Sequence, residues 1–246
     1  MREQNQQAKP LFIAGLDLGQ ANDYTALAIL EQRRLEGDTY GWRYLARHLN
    51  RYPRGTSYPD VVKGISQLLE SPQLQGCVNA LVIDGSGCGR PVVDMFVEAR
   101  LRTTIAAITV HGGDAVTEEH PERLSLKRLK IPKRDLVGTL QATLQTQRLQ
   151  FAASLEHAAA LRHELENFRA KINIATGHES FEAWREGDHD DLVFAVGLAV
   201  WWGERHPPQQ YAYIPVRLSR DSDDDPVPRR VRMPGKMGGR AAWRGF

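Results

Sequence analysis

Apolar positions along the chain change period several times, and each change marks an element. Leu11 to Leu18 is a compact apolar run containing Asp17 near its end, and a turn of Gly19, Gln20, Ala21, Asn22 and Asp23 follows it. Tyr24 to Leu30 is rich in apolar and β-forming residues, so the two runs predict a strand hairpin. Tyr40 to Leu49 alternates and predicts a third strand. Val61, Val62, Ile65, Leu68 and Leu69 recur at helical spacing within Tyr58 to Glu70, and Pro72 closes that segment. Asn79 to Ile83 is a short buried strand running into Asp84, followed by a loop from Gly85 to Gly89 and a helix from Pro91 to Arg100. Thr103 to Val110 is the next strand, and strand, helix, strand in that order implies parallel pairing with a crossover helix.

Leu124 to Ile131 reads as a strand or an extended arm, and Lys133 to Leu149 and Leu155 to Phe168 read as helices. Lys171 to Glu186 looks extended, turning at Gly177 and His178. Asp190 to Trp202 is almost free of polar residues after its first turn, which predicts a fully buried helix. After Pro207 the pattern breaks down into an acidic cluster, Asp221 to Asp225, and a glycine-rich basic stretch from Arg229 to Phe246. The expected organisation is a flexible polar stretch over residues 1–10, one α/β domain over residues 11–206 and a charged tail over residues 207–246.

Composition narrows this only a little. A chain of 246 residues fits one large α/β domain with a tail, and 41% hydrophobic with 25% charged residues is ordinary for a soluble protein. A formal net charge of +2 does not by itself point to nucleic acid. Cys77 and Cys88 form no CxxC pair, so neither a zinc site nor a disulfide scaffold is expected, and a reducing cytoplasmic setting is the simple reading. No apolar run reaches the roughly 18 to 20 residues that cross a bilayer.

The chemistry lies in the placement of acidic residues. Asp17 and Asp84 each sit at the end of a strand, and Asp190 and Asp191 open the last helix. Ligands of open α/β sheets gather beyond the carboxyl ends of strands, so Asp17 and Asp84 converge if their strands are neighbours. Clustered carboxylates repel one another and need a countercharge, which hard divalent cations with oxygen ligands supply. Two such ions about 3.5 to 4 Å apart activate a water and stabilise the leaving oxygen of a phosphodiester. Structural roles compete: Asp17 as a turn former, Asp84 as shaper of the Gly85-Ser86-Gly87 loop, and Asp190 or Asp191 as an N-cap. Adjacent helix positions point in different directions, so one aspartate can cap while the other binds metal, with Asp191 favoured as the ligand.

Gly15-Leu16-Asp17-Leu18-Gly19 followed by Asp23-Tyr24-Thr25-Ala26-Leu27, then Val82-Ile83-Asp84-Gly85-Ser86-Gly87-Cys88-Gly89, resembles two acidic motifs of the nuclease domain of viral (phage) terminase large subunits. Ile131-Pro132-Lys133-Arg134-Asp135-Leu136-Val137 resembles the segment opening a following helix of that family. Phe181-Glu182-Ala183 with His189-Asp190-Asp191-Leu192-Val193 resembles its third motif. The four occur in the family's order between about residues 11 and 205. The resemblance implies a ribonuclease H-like mixed sheet flanked by helices, two Mg²⁺ or Mn²⁺ ions, and endonucleolytic cutting of double-stranded viral DNA in the host cytoplasm. It implies Asp17, Asp84 and one of Asp190 or Asp191 as metal ligands and catalytic residues, with water as nucleophile and 3′ hydroxyl and 5′ phosphate ends as products. It also implies a terminase small subunit and a portal protein as partners. The sequence has no GxxxxGK[ST] run, so the family's ATPase motor would come from another subunit or domain.

Lys133 and Arg134, and the alternating Lys127, Arg128 and Lys130, are candidate phosphate contacts, against the plain reading of solvated surface charge. Ser86 lacks the GxSxG setting of a nucleophile. Three rival functions share parts of the pattern. A Holliday-junction resolvase has the same acidic cluster, and an actin-like ATPase begins with the same Asp-x-Gly strand but needs two such domains. In a non-catalytic binding module the carboxylates are caps.

Overall fold

A computed structural model describes residues 10–19, 23–35, 41–86, 89–123, 125–171 and 190–208. All lie in the first of two units of the chain, Met1–Pro208, and the second, Gln209–Phe246, falls outside the described residues. So do the N-terminal stretch before Pro10, the extended segment expected after Lys171, and the basic tail.

Strands β1 (Leu11–Asp17), β2 (Thr25–Arg34) and β3 (Trp42–Tyr52) form an antiparallel meander. β4 (Val78–Asp84) lies parallel to β1 on its other side, and β5 (Thr104–His111) lies parallel to β4. β7 (Leu126–Pro132) continues the sheet parallel to β5, and β6 (Thr117–Arg123) closes that edge antiparallel to β7. A short β8 (Leu149–Phe151) pairs in parallel with β3 at the far edge. The eight strands run in the order β6-β7-β5-β4-β1-β2-β3-β8, a mixed α/β sheet of the ribonuclease H-like kind that the sequence motifs imply.

Helices cover both faces. α1 (Tyr58–Leu69) and α2 (Gly89–Glu98) pack on one, around Val61, Ile65, Val93 and Phe96. α3 (Lys133–Gln145), α4 (Ala158–Lys171) and α5 (Asp191–Arg205) cover the other, around Leu136, Leu140, Leu161 and the apolar length of α5. Two-sided cover explains why β1, β2 and β4 read as nearly continuous apolar runs.

α5 is buried from Asp191 to Gly203 and lies directly on the meander. A Cβ added to Gly15 would stand 1.9 Å from the Ala195 carbonyl oxygen, so only glycine lets the helix backbone come so close to β1. A Cβ at Gly203 would meet the Tyr44 ring at 2.6 Å and Ile13 at 2.8 Å. Ala195 over Gly15 and Gly203 over Ile13 fix the direction of the helix. It runs antiparallel to β1, with its N-terminus at the carboxyl end of that strand.

One expectation is corrected, and another is decided between its two readings in favour of the strand. The helix expected from Lys133 to Leu149 stops at Gln145, because Gln147 adopts φ 55° and the Arg148 N–H returns to the Thr143 carbonyl at 2.8 Å. The released Leu149–Phe151 supplies the outer edge of β3 with a partner. The segment around Leu124 to Ile131 is no free arm, since Leu126–Pro132 is held between β5 and β6. β6 itself escapes the apolar pattern because an edge strand tolerates charge and proline, here Glu118, Glu119 and Pro121.

Candidate active site

The register lines up a row of residues across the sheet. Arg51 on β3 pairs with Ala26 on β2, and Ala26 pairs with Asp17 on β1. Leu16 pairs with Ile83, so Asp17 and Asp84 follow side by side as the last residues of neighbouring parallel strands. Asp84 in turn pairs with Ile108 on β5. Ala26 and Ile108 belong to the core under α3 and α5, as do Ile13 on β1 and Val82 on β4. With side chains alternating, the whole row faces the α5 side. Neighbouring strands lie about 4.8 Å apart, which sets the scale of the Asp17–Asp84 backbone separation.

Asp191 belongs to the helix layer over this face of the sheet. Arg51, in the cross-strand row of Asp17, lies 3.4 Å from Asp191, so the start of α5 stands near the level of that row. Asp84 is 7% exposed and Asp191 5%. Asp190 occupies the N-cap position, but its side chain makes no capping hydrogen bond. That task falls to Glu164 of α4, whose Oε2 accepts the Val193 N–H at 3.0 Å. Asp84 also shapes its loop: Oδ1 accepts the Ser86 N–H at 2.8 Å, and the Ser86 Oγ accepts the Val110 N–H at 2.9 Å. The loop-shaping role expected of Asp84 is therefore present in the structure.

Arg51 ties the corner together. Its Nη2 donates to Glu164 Oε1 and lies 3.4 Å from Asp191 Oδ2, while its guanidinium stacks 4.8 Å from the centre of the Tyr24 ring. Burial pushes the Asp191 carboxyl up to about 6, opposed by Arg51 and reinforced by the negative charge of Asp23. Burial lifts Glu164 to about 7, opposed by its bond from Val193 and by Arg51, and reinforced by Asp191. Among the described residues, no three carboxylate, imidazole or thiolate groups already close into a metal-holding cluster. The donor set of Asp17, Asp84 and Asp191 is all carboxylate oxygen, which suits Mg²⁺ or Mn²⁺ rather than a soft metal.

The candidate phosphate contacts are scattered. Lys127 points to the α5 face, 5.7 Å above the Trp202 ring, whereas Lys130, three residues on, approaches Glu119 at 3.6 Å and lines a small groove of about 140 Å³ with Gly85, Arg90 and Arg128. Lys127 also approaches Glu118 at 3.9 Å. The two lysines thus do not form one basic stripe. Lys133 and Arg134 do open α3, with Arg134 paired to Asp114 at 2.6 Å.

Sequence reasoning missed Arg51 and Glu164. The strand containing Arg51 runs to Tyr52, beyond the Leu49 expected. Glu164 carried a usable signal: it lies one turn from both Leu161 and Phe168, on the apolar stripe of its helix, where a carboxylate stays only with partners.

The architecture is a mixed α/β sheet of ribonuclease H-like fold, flanked by helices on both faces. Over 77% of its length the chain is similar to the large terminase nuclease from thermophilic phage G20c, with 16% identity, 81% of that chain covered and a TM-score of 0.48. It is also similar to the human cytomegalovirus terminase nuclease domain soaked with manganese, with 11% identity, 85% of this chain and 90% of that one covered, and a TM-score of 0.47. Thermus thermophilus RuvC aligns over 80% of this chain and 98% of that one, with 10% identity and a TM-score of 0.36. At such identities the likeness concerns the fold alone. No family model matches the chain, and no curated protein matches its sequence.

Proposed function

We propose that the chain is a two-metal-ion endonuclease that cuts double-stranded viral DNA during genome packaging, as the nuclease module of a terminase large subunit. One observation supports the reading: Asp17 and Asp84 end neighbouring parallel strands on one face, and Asp191 opens the helix that lies on that face. Asp17, Asp84 and Asp191 would hold Mg²⁺ or Mn²⁺, with Asp190 at the helix entry beside them. Ions bound there supply Lewis acidity for hydrolysis of a phosphodiester by water.

The chain's own residues do the positioning. Asp17 and Asp84 sit on paired central strands, the most rigid support a fold offers. The N-terminal end of α5 carries the positive end of the helix dipole and favours anions at this corner. Lys133 and Arg134, with Lys127 or Lys130 on one side of β7, would contact DNA phosphates and set its position without reading sequence. An ATPase motor subunit or domain, a terminase small subunit and a portal protein are the partners this role requires, and the host cytoplasm its location. No described helix is long and apolar enough to cross a membrane.

The test is incubation with linear duplex and four-way junction DNA in Mg²⁺ or Mn²⁺. The packaging role expects cuts in the linear duplex, leaving 3′ hydroxyl and 5′ phosphate ends, and their loss in EDTA. Cutting confined to the junction would replace it with resolvase activity. No metal-dependent cutting of either would reject a nuclease.

A further inference from the structure

Glu164 and Asp191 are both buried carboxylates, 4% and 5% exposed, and among the described residues one cation, Arg51, lies against both. That cation is permanent, because a guanidinium does not deprotonate in a protein. The geometry is not that of a strong clamp. A bidentate arginine–carboxylate pair uses two parallel N–H groups. Here Nη2 alone serves both carboxylates, while the buried Nε finds no hydrogen-bond partner among the described residues. The side chain is only 17% exposed, so water does not readily replace what the pairing lacks.

Arg51 also shares the cross-strand row of Asp17 and Asp84, two strands from Asp17, with only Ala26 between them. The small Ala26 side chain leaves the guanidinium room on the α5 face. A positive charge therefore already stands beside Asp191, hydrogen-bonded to Glu164 and only 3.4 Å from the Asp191 carboxylate.

We propose that Arg51 is a built-in countercation for the acidic corner, engaging Asp191 while no divalent ion is bound and yielding it when one arrives. The inference rests on the proposed role of Asp191 as a metal ligand. Arg51 is thus a positioning residue: it competes with the metal for Asp191, and Glu164 is the second carboxylate that holds it once displaced. Removing Arg51 takes its competition with the metal away. Removing the charge of Glu164 leaves Arg51 with Asp191 as its remaining charged partner and strengthens the competition.

Calorimetric titration of the full chain with Mn²⁺, without DNA, separates these effects. Arg51→Met is expected to bind Mn²⁺ on the order of tenfold more tightly than wild type. Glu164→Gln, whose amide oxygen still accepts the Val193 N–H, is expected to bind several-fold more weakly. The opposite signs are diagnostic, and Glu164→Gln keeps the test decisive if Arg51→Met does not fold. Asp17→Asn is expected to abolish the heat in every background. Equal affinity in wild type, Arg51→Met and Glu164→Gln would overturn the role of Arg51 while leaving the metal site standing. Absence of binding at millimolar Mn²⁺ in all three would overturn both.

Discussion

Replacing Gly15 by alanine probes the contact that brings α5 to the acidic corner. The added methyl would lie 1.9 Å from the Ala195 carbonyl oxygen, 3.0 Å from its carbon and 3.1 Å from the Ala199 Cβ. The first two are helix backbone, so no rotamer change relieves the clash and α5 must retreat by roughly an ångström. Overpacking of this kind costs about 1–3 kcal/mol, and the backbone partners place Gly15→Ala at the upper end. In a domain of this size each kcal/mol lowers Tm by about 2–4 °C, so a fall of about 5–10 °C is expected. The retreat also carries Asp191 away from Asp17, and a misplacement of about 1 Å typically costs about 10²-fold in rate. Thermal unfolding followed by circular dichroism, with DNA cleavage assayed well below Tm, measures both. A Gly15→Ala variant with wild-type Tm would refute the packing of α5 on β1. A destabilised variant with full activity would refute the claim that this packing positions Asp191.

Gly138 provides the contrast: nothing lies within 4 Å of an added Cβ inside α3, so Gly138→Ala is expected to stabilise by about 0.5–1 kcal/mol, read from the denaturant midpoint. Tyr44→Phe removes the 2.8 Å bond from the buried hydroxyl to Glu204, which Arg148 also holds at 2.7 and 2.9 Å. A loss of about 1.5–3 kcal/mol by urea unfolding is expected, with cleavage per folded molecule unchanged. Stability in EDTA should also respond to pH through the two raised carboxyls. Their folded values, about 6 for Asp191 and about 7 for Glu164, exceed the unfolded 3.8 and 4.5, so the folded protein binds more protons. Their contribution is fully present below pH 4 and is lost as pH rises through about 6 and 7. Glu164→Gln should therefore flatten the decline between pH 4.5 and about 7. Half-buried His48 and His206, depressed from 6.5, act in the opposite direction but cancel between the two proteins; equal slopes would contradict the assignment.

The sheet's centre was legible because its strands are covered on both faces: Leu11 to Leu18, Tyr24 to Leu30 and Asn79 to Ile83 stand out as apolar runs, and each falls in a central strand. Asp17 and Asp84 were legible for the same reason, each being where such a run meets polar residues. The edges were not. β6 is charged because solvent wets one side of it, and β8 was hidden because Leu149 fits a helical period as well as a strand. Arg51 and Glu164 escaped because their meaning is relational: a strand-end arginine and a helical glutamate become informative only once β3 and α4 are brought against the start of α5.

The most direct test of the central claim is Mn²⁺-dependent cleavage of linear duplex DNA by wild type, Asp17→Asn and Asp84→Asn, each first shown to unfold cooperatively. Wild type is expected to cut, and both variants to lose at least about 10²-fold in rate with their fold intact. Cleavage by the folded variants at the wild-type rate would contradict the assignment of the two strand-end carboxylates as the catalytic pair.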